Sequence, residues 1–200
     1  MTASATLREV SGLDNRPPRL ADATLVLIDY QNTYREGVMA LDGAEAALAA
    51  GARLLAAART AGIPVVHVVN DGGEGTPYDI RAEIGAISAE VAPQDGEPVV
   101  VKQTPDAFHA TVLEETLKNL GAGPELVLAG FMTHMCVQFT AQGAFVRGYR
   151  PTVVADATAT RPLTAPDGST VSAAALQAAA LTTVADLFGV VVPSIDALTG

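Results

Sequence analysis

Six short, almost wholly apolar runs punctuate the chain, and stretches of helical periodicity lie between them. The runs are 24–28 (TLVLI), 63–69 (IPVVHVV), 98–101 (PVVV), 125–129 (ELVLA), 151–155 (PTVVA) and 189–192 (GVVV). A strand with one wet face alternates apolar and polar residues. These runs do not alternate, so both of their faces are expected to be buried, as in a parallel sheet covered by helices on each side. The helical stretches are 44–60, 105–120, 134–147 and 172–188. Leu48, Ala52, Leu55 and Ala58 share one stripe, Leu113, Leu117 and Leu120 a second, and Leu176, Ala180, Val184 and Leu187 a third. Gly121 and Gly148 stand where helix C-caps are expected. The alternation predicts the α/β class: a single three-layer α/β/α domain with a mostly parallel sheet of about six strands, in the order 3-2-1-4-5-6, with right-handed crossovers. Residues 1–22 are polar and read as an N-terminal arm, leaving 23–200 as the domain.

Composition narrows the partners. With 12 Lys+Arg against 22 Asp+Glu, the formal charge is −10, which disfavours a nucleic-acid partner because phosphate binding needs a basic face. The single cysteine excludes an intramolecular disulfide. The first residues lack the apolar core of a signal peptide, and no run approaches the roughly 18 apolar residues of a membrane span. The expectation is a cytoplasmic protein with no membrane partner. Two irregular stretches, 70–97 and 158–171, are long enough to serve as lids or pocket walls.

Ligands in open α/β sheets bind outside the C-terminal ends of the strands. Three chemically capable residues fall there: Asp29 after LVLI, Lys102 after VVV, and Cys136 shortly after LVLAG. Thr133 reads as an N-cap, which puts Cys136 in the first helical turn, where the helix dipole favours a thiolate. A lysine beside Asp29 and Cys136 is expected to lower the pKa of both. Each residue has a plainer reading: a free cysteine is often a small buried hydrophobe, an aspartate caps turns, and a strand-end lysine is often solvated. Together they make a thiol, an acid–base group and a cation in one crevice, as thiol attack on an amide requires.

The same residues carry a resemblance. Segments 25–37 (LVLIDYQNTYREG), 99–111 (VVVKQTPDAFHAT) and 128–158 (LAGFMTHMCVQFTAQGAFVRGYRPTVVADAT) resemble, in order and spacing, the isochorismatase-like cysteine hydrolases, relatives of nicotinamidase and N-carbamoylsarcosine amidase. The resemblance implies a nucleophilic Cys136, Asp29 as general base and then acid, and Lys102 holding both in their charged states. It also implies a cis peptide between Phe131 and Met132, with the N–H groups of Met132 and Cys136 as the oxyanion hole. The activity implied is hydrolysis of a C–N bond in a small molecule through a thioester. Gln31, Tyr34, Tyr78, Phe108, Phe131 and His134 are candidate pocket residues, and Gln31 is equally readable as a loop-orienting group.

The sequence departs from nicotinamidases in the region HVVNDGGEG, where a metal-binding Asp-x-His is missing. No metal and no cofactor are therefore expected, and His67 reads as a strand histidine with a local hydrogen bond. A haloacid-dehalogenase-type phosphatase would need an aspartate at position 31, where glutamine stands, and a nucleotide-binding Rossmann turn would need glycines in DYQNTY. The alternative of another class is a catalytically idle oligomeric scaffold. Alanine-rich helix faces, and the oligomers formed by relatives, lead to the expectation of a homo-oligomer.

Overall fold

A computed structural model describes residues 4–198; positions 1–3 of the expected arm and 199–200 of the expected domain lie outside the described residues. The sheet strands are β1 (Thr24–Ile28), β2 (Val65–Asn70), β3 (Val99–Lys102), β4 (Glu125–Phe131) and β5 (Arg150–Ala159). A two-stranded hairpin, β6 (Leu163–Thr164) and β7 (Thr170–Val171), then interrupts the 158–171 stretch before β8 (Val190–Val192) completes the sheet. The order is β3-β2-β1-β4-β5-β8 with every pairing parallel, so the expected order holds once the hairpin is set aside. The helices are α1 (Leu7–Val10), α2 (Ala44–Ala61), α3 (Leu113–Asn119), α4 (Gln138–Val146) and α5 (Ala173–Thr183).

The pleat sorts the apolar runs into two cores. Leu25, Leu27, Val127 and Ala129 point to one face and pack with Leu48, Leu54 and Leu55 of α2. Val26, Ile28, Leu126 and Leu128 point to the other and pack with Leu113 and Leu117 of α3 and Ala141 of α4. Successive side chains on one strand thus serve opposite layers, which is why the runs do not alternate in polarity. At the sheet edge the expectation of two buried faces fails. Val100 and Lys102 of β3 are buried, but Val99 and Val101 are 44% and 46% exposed, because no helix covers that face of the edge strand.

Three expected helices are shorter or less regular than their periodicity. The stretch 105–120 becomes helical only at Leu113, because the Asp106 carboxylate takes the Phe108 N–H in a turn and Ala110 adopts a left-handed φ of 54°. The stretch 134–147 opens with a π-helical turn, Thr133–Val137, before α4, and 172–188 closes with another, Val184–Phe188. The polar arm is anchored rather than loose. Thr6 and Glu9 form a capping box on α1, Leu7 N–H donates to Asp186, and the buried Arg8 guanidinium donates to Asn15 and to the carbonyls of Asp14 and Leu187. Among the described residues no helix is long and apolar enough to cross a membrane.

β1 and β4 lie side by side at the point where the chain's path across the sheet reverses, and the crevice at their C-terminal ends is the expected place for a ligand. Their contact there is unusually close. Gly130 has φ +136°, and a Cβ at that position would overlap the Ile28 carbonyl. Gly130→Ala is expected to destabilise the fold by at least about 3 kcal/mol in urea unfolding, since both strain and overlap act. Gly123→Ala, at an exposed position with open space around it, is expected to stay within about 0.5 kcal/mol of wild type.

Candidate active site

Asp29 follows β1 directly and is fully buried, with a left-handed φ of 51° that aspartate tolerates better than most residues. Its N–H is tied to the Val68 carbonyl of β2 at 2.9 Å, which fixes the carboxylate over the β1/β4 crevice. Lys102 ends β3, two strands away. The pleat puts its side chain on the same face as Val100 and Cys136, and it reaches past the end of β2. Its Nζ lies 2.7 Å from Asp29 Oδ2 and 3.3 Å from Cys136 Sγ, with the lysine only 1% exposed. Cys136, 7% exposed, sits in the π-helical turn after β4, near enough to Asp29 that each group shifts the other's pKa. Beyond the ion pair with Lys102, neither Asp29 oxygen has a hydrogen-bond partner among the described residues.

The electrostatics differ from the sequence-based expectation. Burial raises the pKa of Asp29, and the opposing pull of Lys102 only partly offsets it. Burial and the Asp29 charge raise that of Cys136 above the ordinary thiol value, again against Lys102. For Lys102 burial opposes the charge, but Asp29 and Cys136 outweigh it and its pKa is raised. Lys102 therefore does not lower the pKa of its two neighbours below their usual values, because desolvation of a fully enclosed anion exceeds the attraction of one cation. These directions favour a protonated Cys136 thiol and a charged Lys102 in the resting site.

The turn that carries Cys136 is built differently from a capped α-helix. Met132, not Thr133, is the residue before the turn, and the Met132 carbonyl accepts from the N–H groups of both Met135 and Val137. The Thr133 hydroxyl donates to the Ala159 carbonyl of β5 rather than capping. The Phe131–Met132 peptide is cis. The turn delivers the N–H groups of Met132 and Cys136 to the same end of β4 as the thiol.

The expected pocket residues divide. Tyr34 is 1% exposed and makes edge contacts with Phe131 (5.6 Å) and Tyr78 (5.8 Å), and burial and the nearby Asp29 raise its pKa. Phe131 is buried between Tyr30 and Tyr34. His134 is half-buried and holds Thr160 Oγ1 through Nδ1 at 2.5 Å. Two residues are engaged in other contacts. The Gln31 amide donates to the Asn70 and Gly85 carbonyls and accepts from Asn70 N–H, so its polar groups clamp backbone instead of facing a ligand. The Phe108 ring stacks on Tyr149 beneath the Arg147 guanidinium, away from the tyrosine cluster. His67 is buried on β2 against Glu97 at 2.9 Å, and His109 lies in the irregular stretch before α3, so the three histidines do not converge.

Sequence reasoning passed over Arg161. It directly follows Thr160 and acts electrostatically on His134 and Tyr78, but it lay hidden in the Thr- and Pro-rich stretch 158–171.

Comparison with known proteins gives a consistent picture. The Isochorismatase domain model matches residues 23–194. A crystallised isochorismatase from Pseudomonas putida is 39% identical and superposes with a TM-score of 0.91 over 96% of this chain and 97% of its own. The secreted isochorismatase effector of Verticillium dahliae is 35% identical over 193 residues, 96% of this chain and 98% of that protein. The ureidoacrylate amidohydrolase of Variovorax paradoxus is 31% identical over 186 residues, 73% of each chain.

The buried ion pair gives a stability prediction. Lys102→Met strands Asp29 without its cation and is expected to cost about 3 kcal/mol near pH 8. The loss shrinks as pH falls, because a carboxyl whose folded pKa is raised takes up a proton in the native state and the penalty is one of ionisation. The double variant Asp29→Leu/Lys102→Met is expected to recover most of the loss, measured by urea unfolding at several pH values.

Proposed function

Because the chain belongs to the isochorismatase family, we propose that it is a cysteine-dependent hydrolase that cleaves a C–N bond (amide, carbamoyl or ureido) of a small molecule. One observation carries this reading: a buried ammonium lies 2.7 Å from a carboxylate oxygen and 3.3 Å from the chain's single thiol. The 31% identity to a ureidoacrylate amidohydrolase agrees with C–N chemistry.

The raised pKa values order the steps. Asp29, short of hydrogen-bond donors and made more basic by burial, takes the Cys136 proton as the sulfur attacks the substrate carbonyl carbon. The carbonyl oxygen becomes an oxyanion and is met by the N–H groups of Met132 and Cys136. Asp29 returns the proton to the departing nitrogen, the C–N bond breaks, and ammonia or an amine leaves behind a thioester on Cys136. Asp29 then deprotonates a water that attacks the thioester, and its proton restores the thiol as the acid leaves. Lys102 stays charged throughout and compensates whichever of its two neighbours is the anion.

Cys136→Ala and Asp29→Ala are each expected to lower ammonia release from a panel of small amides and ureido acids by at least about 1000-fold while leaving a cooperative thermal transition. Full activity in either folded variant sinks the mechanism. In the wild type the acid limb of kcat/KM reports loss of the Asp29 base. It is expected above the ordinary carboxylate pKa of about 3.9, because burial shifts that group upward.

A further inference from the structure

A cavity of about 270 Å³ lies between the N-terminal arm and the domain, at the end of the sheet opposite Cys136. The first residues of three strands line it: Glu125 of β4, Arg150 of β5 and Val190 of β8. Leu13 and Asp14 bring the arm into the same wall. β5 is ten residues long, so at about 3.3 Å per residue roughly 30 Å separates this cavity from the crevice at the C-terminal strand ends.

The cavity holds one more positive charge than negative. Arg8 lines it and is 7% exposed. Its three donations go to neutral acceptors: Asn15 Oδ1 at 2.8 Å, the Leu187 carbonyl at 3.1 Å and the Asp14 carbonyl at 2.5 Å. A guanidinium carries five N–H groups, so one N–H on each terminal nitrogen of Arg8 has no acceptor among the described residues. The neighbouring carboxylates are committed elsewhere, Asp14 to Arg16 at 2.8 Å and to Arg150 at 3.6 Å, and Glu125 to Arg150 at 3.0 Å. Three guanidiniums in the lining thus share two carboxylates. Burial and then the Arg150 charge press the Arg8 pKa down against the pull of Asp14, the signature of a cation that is short of anions. Three rings share the wall. Phe145 of α4 and Phe188 of the closing π-helical turn meet edge to face at 6.0 Å, and Tyr149 stacks on Phe108. All three are half-buried, so part of each ring is open to a ligand.

We propose that this cavity is a second ligand site, separate from the Cys136 crevice, and that it takes a small aromatic monocarboxylate. A planar carboxylate bridges the two unclaimed N–H groups of Arg8, and the ring packs on Phe145 and Phe188. A single negative charge balances the one left over. A phosphate, close to −2 at pH 7, would bring excess charge beside Asp14 and Glu125. The volume suits one ring with a short acid arm, since a cavity of roughly 150 Å³ already holds benzene. The arm supplies Arg8 and Leu13 and the domain supplies the rings, so an occupied site ties the two together. The site does not depend on the hydrolase reading above.

Phenylacetate, phenylacetamide and acetate, titrated by calorimetry into the full chain, separate charge from ring. Phenylacetate is expected to bind with a Kd below about 1 mM, and the amide and acetate at least about tenfold more weakly. Arg8→Met is expected to weaken phenylacetate at least about tenfold, but it also removes the contacts that anchor the arm. Two milder variants therefore decide the matter. Arg150→Met alters a half-exposed side chain and is expected to weaken phenylacetate at least about fivefold. Leu13→Trp fills the cavity from an exposed position on the arm and is expected to abolish binding. No saturable binding of phenylacetate up to about 10 mM, or equal binding of phenylacetamide, overturns the proposal. So does phenylacetate binding that either Arg150→Met or Leu13→Trp leaves unchanged, which would put the acid elsewhere on the protein.

Discussion

The contact between Lys102 and Asp29, 2.7 Å with both side chains excluded from solvent, sets the terms for everything around it. Taking either charge out of water costs several kcal/mol, and a well-packed apolar pair of similar volume would be no less stable. Such a pair is retained only if the rest of the fold holds it in register. β1 presents the carboxylate from a left-handed residue, the pleat of β3 turns the lysine inward, and Gly130 lets β4 close against the Ile28 carbonyl. The thiol is then placed where its proton has one acceptor.

Much of this was legible in the sequence because strand ends carry little ambiguity. An aspartate, a lysine and a cysteine at the ends of three unbroken apolar runs had to fall along one rim of a parallel sheet. The spacing of the resembling segments marked the same residues. The reach of Lys102 was not legible. It depends on strand order and pleat parity together, and the same parity leaves Val99 and Val101 exposed on a run that reads as fully buried.

Other features escaped because they depend on local side-chain competition. The Asp106 side chain and the left-handed Ala110 delay α3 by half of its expected length, against a good helical stripe. The Thr133 hydroxyl prefers the Ala159 carbonyl to a capping role, and the turn that follows is π-helical. Gln31 reads equally as a pocket residue and as a loop-orienting one, and only its three backbone contacts favour the second. The direction of the thiol pKa was misjudged for a general reason: proximity of charges is visible in a sequence, whereas the depth of burial that opposes them is not.

The arm and the hairpin lie at opposite ends of the sheet: the arm at the start of β5, where Asp14 pairs with Arg150, and the hairpin beyond its C-terminal end. Arg8 locks the arm onto the turn after α5, while Thr160 and Arg161 lead from β5 into the β6–β7 hairpin beside the turn that carries Cys136. The central physical claim is that the resting thiol keeps its proton until Asp29 removes it during attack. The pH dependence of Cys136 alkylation in the free enzyme tests it most directly. The account predicts a rate that stays low through neutrality and rises only above the ordinary thiol pKa of about 8.5. A rate already at its plateau below pH 7 would mean a preformed thiolate, and would contradict it.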